Sequence, residues 1–241
     1  GSRRGDVILV IELEERSPLQ IDRLYLGTSE VSPLFGAFGV ADSNFLGRGV
    51  TLGATFAGGD ERQAIEARTF IPSLGGSALQ LSASALALRG RELLEDSDPG
   101  GTQLSYERLG GMLGVGFSVG PAQRFSIVYR LELINAQRLP NLAPSVLRGA
   151  PSIQFDDSVL STFSLGYERD TRDDPFIPTS GEYVNLSVEL GTSLVGSNYE
   201  FSKYFAELDL AFEPFAQHSL RLQGVGGLIQ GQTPFFNQFF I

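Results

Sequence analysis

The 241-residue chain carries 18 Lys and Arg against 28 Asp and Glu, a net charge of −10, with one His and no Cys. That balance excludes non-specific nucleic-acid binding, which needs a positive field, and the residue counts exclude disulfides, thiolate metal sites and multi-His metal sites. Apolar residues at 42% argue against disorder, yet no run approaches the roughly eighteen apolar residues of a transmembrane helix.

The chain opens GSRRGD with no initiator Met, which reads as an internal fragment. A first strand, Val7 to Glu15, is set apart by Ser17-Pro18. Period-two alternation then predicts about eleven strands, roughly 20–29, 34–45, 49–57, 62–71, 77–89, 102–119, 124–137, 157–169, 181–191, 199–213 and 218–230. The faces separate cleanly. Phe125, Ile127, Tyr129, Leu131 and Leu133 oppose Ser126, Arg130 and Glu132, and Val184, Leu186, Val188 and Leu190 oppose Tyr183, Asn185, Ser187 and Glu189. Tyr204, Ala206, Leu208, Leu210 and Phe212 oppose Lys203, Glu207, Asp209 and Glu213. All twelve prolines fall in connections or at strand ends, as a hydrogen-bonded ladder requires. Helix signals do not recur.

Alternation alone does not say whether the apolar face meets a core or lipid. Strand length and loop asymmetry do. Several strands exceed the five or six residues usual in soluble sheets and reach the roughly nine to eleven of a tilted membrane strand. The connections Asn44–Arg48, Pro72–Gly76 and Gly120–Gln123 are short, whereas the opposite side carries Gly58–Glu61 and then the long Gly90–Gly101 and Arg138–Asp156. That is the pattern of short periplasmic turns and longer external loops; Arg169–Ser180, on the short-turn side, is the exception. The predicted fold class is therefore all-β, a transmembrane antiparallel β-barrel. Tyr25, Phe38, Phe45, Tyr129, Tyr183, Tyr204 and Phe212 are candidates for its interfacial girdles.

Three motifs then appear in order. "NFLGRG" (Asn44, Gly47 and Gly49 within it) follows the acidic strand "DVILVIELEER". A D-x-R-D-x-x-x-x-P-x-x-G turn is matched by Asp170, Arg172, Asp173, Pro178 and Gly181, and the chain ends "TPFFNQFFI". Together they resemble the BamA-type family of bacterial surface antigens, which assembles outer-membrane proteins. The resemblance implies an expected barrel of sixteen strands, about eleven of them present, preceded by periplasmic POTRA domains. Residues 1–18 would be the end of the last POTRA domain and 19–241 the N-terminal part of the barrel. The last residues would approach an inward-folded sixth loop whose V-R-G-F/Y motif lies beyond Ile241. The resemblance further implies a lateral gate, its strand carrying Leu19, Ile21, Arg23, Tyr25 and Gly27. It implies no enzymatic activity and no cofactor. The partners would be the outer-membrane bilayer, unfolded outer-membrane protein clients and periplasmic accessory lipoproteins.

Other readings are weaker on the residues. "GFSVG" (Gly116 to Gly120) matches a nucleophile elbow, but Ser118 is followed by a turn and another strand where the elbow needs a helix. His218 reads as a turn residue, and Gly224, Gly226 and Gly227 lack a P-loop Lys. The acidic residues around Asp170, Asp173 and Asp174 lack the spacing of a twelve-residue Ca²⁺ loop and read as a structured turn. A two-partner secretion pore and the barrel anchor of a patatin-like hydrolase share the barrel, and a soluble all-β binding protein shares the alternation. These alternatives stand open at the level of sequence.

Overall fold

A computed structural model describes residues 17–28, 34–60, 62–94, 102–138, 154, 156–215 and 218–238. The proposed POTRA strand at Val7 to Glu15 and most of the two long loops lie outside them. The described chain forms one 11-stranded antiparallel sheet in strict sequential order. Its strands are β1 (Leu19–Gly27), β2 (Phe35–Phe45), β3 (Val50–Gly59), β4 (Arg62–Ile71), β5 (Leu79–Leu94) and β6 (Thr102–Val119). The remainder are β7 (Gln123–Arg138), β8 (Asp156–Asp170), β9 (Gly181–Gly191), β10 (Phe201–Phe215) and β11 (His218–Gly231). The strand map read from alternation holds at every element, and β5 runs five residues further than the sequence suggested.

The register shows which way the faces point. Leu109, Leu113, Val115 and Phe117 on β6 are exposed, as are Ile127, Leu131 and Leu133 on β7 and Phe163 and Leu165 on β8. The alternate residues are buried: Leu104 and Tyr106 on β6, Glu132, Ile134 and Ala136 on β7, and Ser158, Leu160 and Thr162 on β8. A soluble sheet would not bury Glu132 while exposing Leu131 and Leu133. The apolar face is turned to lipid and the charged face inward, as a membrane barrel requires.

Strand length is uneven. β1 to β4 hold between 9 and 11 residues, whereas β5 to β8 hold between 15 and 18. The longer strands extend on the long-loop side, where Leu104 and Tyr106 lie near the end of β6. Not all of the proposed girdle aromatics face outward. Tyr183 lies on the inner face beneath Arg172, 4.5 Å from guanidinium carbon to ring centroid, and Tyr25 pairs with the buried, inward-facing Ala37. Both sit on the polar series of their strands, so their rings serve the lumen.

Lipid exposure and lumen exposure should separate by substitution on one strand. Leu113→Arg on the outer face of β6 is expected to cost about 2–4 kcal/mol. The neighbouring inward Met112→Gln should stay within about 0.5 kcal/mol. Urea unfolding of the full-length protein in bilayers measures both.

Candidate functional site

Both predicted turns are built by the residues their motifs specify. Between β2 and β3 the chain reverses through Leu46, Gly47 and Gly49, all at positive φ. The Asn44 side-chain carbonyl accepts a hydrogen bond from the Gly49 amide at 2.7 Å, and the Asn44 carbonyl accepts from Gly47 at 2.8 Å. A Cβ at either glycine would meet nothing. Backbone conformation, not space, therefore selects Gly there.

The turn from β8 to β9 is more elaborate. Asp173 accepts from the Thr179 amide at 2.9 Å, the Thr179 hydroxyl at 2.6 Å and the Ser180 amide at 3.0 Å. Asp174 accepts from the amides of Phe176 at 2.7 Å and Ile177 at 2.9 Å. Pro178 is buried beneath the turn. Gly181, at φ 103°, passes so close to Thr171 that a Cβ would sit 2.3 Å from its carbonyl oxygen. No other residue fits there. Arg172 turns inward: it donates to Asp170 at 2.7 and 2.9 Å and to Asp209 on β10 at 3.2 Å. Arg221 on β11 donates to the same Asp209 at 2.8 Å. The charges thus tie the turn to β8, β10 and β11.

A second inner cluster was only half visible in the sequence. After β11, residues 232–238 fold back against the inner face, burying Thr233, Pro234, Phe235 and Asn237. Phe235 packs edge-on against Tyr106, with centroids 5.1 Å apart, and joins Leu104 and Ala136. Phe236 lies under the Arg108 guanidinium at 3.9 Å, a cation–π contact. Asn237 accepts from Arg130 at 3.1 Å, donates to Glu189 at 3.2 Å, and gives its backbone carbonyl to Lys203 at 2.8 Å. Beneath this, Glu132 holds Arg108 at 2.8 Å and Arg130 at 2.7 Å. One short segment thus touches β6, β7, β9 and β10, which requires the sheet to curl around it. The resemblance marked "TPFFNQFFI" only as the approach to an inward-folded loop, and the structure already seats residues 232–238 on the inner face. Its receptors Arg108, Arg130, Glu132 and Glu189 left only one trace, charges placed mid-strand on the polar series.

The remaining singled-out residues have ordinary surroundings. Ser118 lies inside β6 opposite Arg124 and accepts from Gln80 at 3.3 Å. His218 opens β11. Among the described residues no group of three His, Asp or Glu side chains could hold a metal ion.

Comparison with known proteins decides the family. The family description "Omp85 superfamily domain" matches residues 44–241. The chain belongs to the Omp85 superfamily. As an Omp85 barrel it resides in the bacterial outer membrane. A solved structure similar to it is BamA from Haemophilus ducreyi lacking POTRA domains 1–3, at 15% identity and a TM-score of 0.68. The alignment covers 94% of this chain and 44% of that one, so this chain spans less than half the length of the solved chain it matches. No curated protein matches the chain significantly. The predicted transmembrane barrel fold and the BamA-type resemblance thus hold.

Two measurements test this site. Hydrogen bonds from the Thr179 hydroxyl and then the Ser180 amide lower Asp173 from the ordinary 3.8 to about 2. Folding therefore favours the carboxylate, so its contribution is whole above about pH 4 and is lost as pH falls through about 2. Limited proteolysis of the turn should accelerate below pH 4 in wild type, whereas Asp173→Asn should be cleaved faster already at neutral pH and show a smaller acid transition, the part that Asp174 retains through the Phe176 and Ile177 amides. For the inner cluster, Glu132→Ala leaves two buried guanidinium groups facing each other. It should cost about 3 kcal/mol in unfolding experiments and make residues 232–238 protease-sensitive.

Proposed function

We propose that this chain is the N-terminal part of an outer-membrane protein assembly barrel, which inserts client barrels by opening sideways at β1. Membership of the superfamily, whose barrels serve protein insertion or translocation, supports the general activity. The observation that carries the finer reading is the character of β1. It is the shortest of the described strands, with 9 residues, and its pairing with β2 is interrupted between Ile21 and Arg23. A weakly held edge exposes backbone N–H and C=O groups on which an incoming strand can pair, which is β-augmentation.

On this reading Leu19, Ile21, Arg23, Tyr25 and Gly27 belong to the gate strand with split duties. Leu19 and Ile21 face lipid, whereas Arg23, Tyr25 and Gly27 pair with the inward-facing series of β2. Asn44, Gly47, Gly49 and the residues from Asp170 to Gly181 shape the turns that hold the barrel's periplasmic end. Residues 1–18 complete a POTRA domain, and periplasmic accessory lipoproteins attach on that side. The inner segment fills part of the lumen, which favours a sideways exit over an open axial pore. No step requires a cofactor or a catalytic residue.

The test is a reversible disulfide in the full-length protein between Tyr25 on β1 and the strand that closes the barrel against it. Insertion of an unfolded client barrel into liposomes should stop on oxidation and recover with reductant. Unchanged insertion with the bond formed removes the gating reading, and release of a polypeptide into the lumen of sealed vesicles instead favours a translocating pore.

A further inference from the structure

The irregularity in β1 does more than shorten its ladder. In an unbroken strand successive side chains point to opposite faces. Here Gln20 lies opposite Ala41 and Arg23 lies opposite Gly39, so three steps on β1 match two on β2. The extra residue is a β-bulge, and it turns two neighbours of opposite charge, Asp22 and Arg23, onto the inner face together. Each finds a partner on β4, two strands beyond β2. Arg23 donates to Glu66 at 2.8 Å, and Arg68 is hydrogen-bonded to the Asp22 carboxylate. Glu66 and Arg68 stand two apart on β4 and so share a face.

The surface these side chains cross is cleared for them. The Arg68 guanidinium lies over Gly53, where a Cβ would come within 3.1 Å of it, and Arg68 also donates to Thr55 at 3.1 Å. At Gly39 a Cβ would sit 2.9 Å from the Asp22 carboxylate and 3.0 Å from the Arg23 Cβ. Bulge, glycine floor and crossed charges make one arrangement.

We propose that Asp22–Arg68 and Arg23–Glu66 form a latch that holds β1 against the β2–β4 side of the sheet and so keeps its opposite edge, the one a client strand would meet, in place. The latch rests on the reading of β1 as the gate strand. Among the described strands, backbone pairing ties β1 to β2 alone, whereas the two crossed ion pairs tie it to β4. Detaching β1 from the sheet therefore requires both to part, and a change of ionic strength acts on both. Asp22, Arg23, Glu66 and Arg68 are positioning residues. They touch no client strand.

The experiment is hydrogen exchange of β1 amides in the full-length protein in liposomes, paired with the rate of insertion of an unfolded client barrel. Arg68→Ala and Glu66→Gln should each speed exchange across Leu19–Gly27 by about three- to tenfold while leaving β5 to β7 unchanged. The double exchange Asp22→Arg with Arg68→Asp should restore slow exchange. Where Arg68→Ala fails to assemble, Arg68→Lys keeps the charge, loses the planar fork, and should give a smaller rise confined to β1. Unchanged β1 exchange in both single variants overturns the latch. An equal rise in β5 to β7 also overturns it, since the residues then support the whole sheet. Faster β1 exchange with client insertion unaltered upholds the latch and sinks the gate reading instead.

Discussion

Inside a hydrocarbon layer no water is available to a backbone N–H or C=O, so each must find its partner within the protein. The continuous ladder from β1 to β11 is the answer to that demand, and the rest of the structure follows from it. Once strands are committed to pair edge to edge, their side chains have only two directions to take. Lipid accepts the apolar series, as at Leu109, Leu113 and Leu133. The charged series is left facing a confined interior, where Glu132, Asp209 and Thr162 are buried among partners.

That interior is expensive for isolated charges and tolerable for satisfied ones. Glu132 between Arg108 and Arg130, and Asp209 between Arg172 and Arg221, are both carboxylates flanked by two guanidinium groups. In each case the acid sits at the centre and the bases bring in other elements: the inner segment through Arg130 and Asn237, the β8–β9 turn through Arg172. Charge is therefore used twice, to neutralise a buried group and to hold a loop against the wall. The crossed pairs at β1 extend the same device to the sheet edge, where the backbone alone gives one neighbour.

The two turn motifs were legible because their chemistry is local. Asn44 acts on the residue five further on, and Asp173 on those six and seven further on. Spacing in the chain is then spacing in space. The receptors of the inner segment were not legible in this way, because Asn237 meets Arg130 across 107 positions and Glu189 across 48. Alternation said that these charges face inward and could not say which would meet. The bulge lies between these cases. In "LQIDRLYLG" the apolar series runs Leu19, Ile21, then Leu24, Leu26. That change of phase marks the inserted residue, whereas grouping Ile21 with Arg23 and Tyr25 passes over it.

The sequence by itself determined the architecture: the strands and their alternating faces, the turns at Asn44 and Asp173, and prolines kept to connections and strand ends. These depend on period, local hydrogen bonds and backbone geometry, all of which are written over a few residues. Only the tertiary structure decided which charges pair, that residues 232–238 seat on Tyr106, Arg108 and Asn237's partners, and that β1 is tied to β4. Those outcomes depend on how the sheet curls and on a one-residue shift in register, which bring together groups that no spacing rule connects.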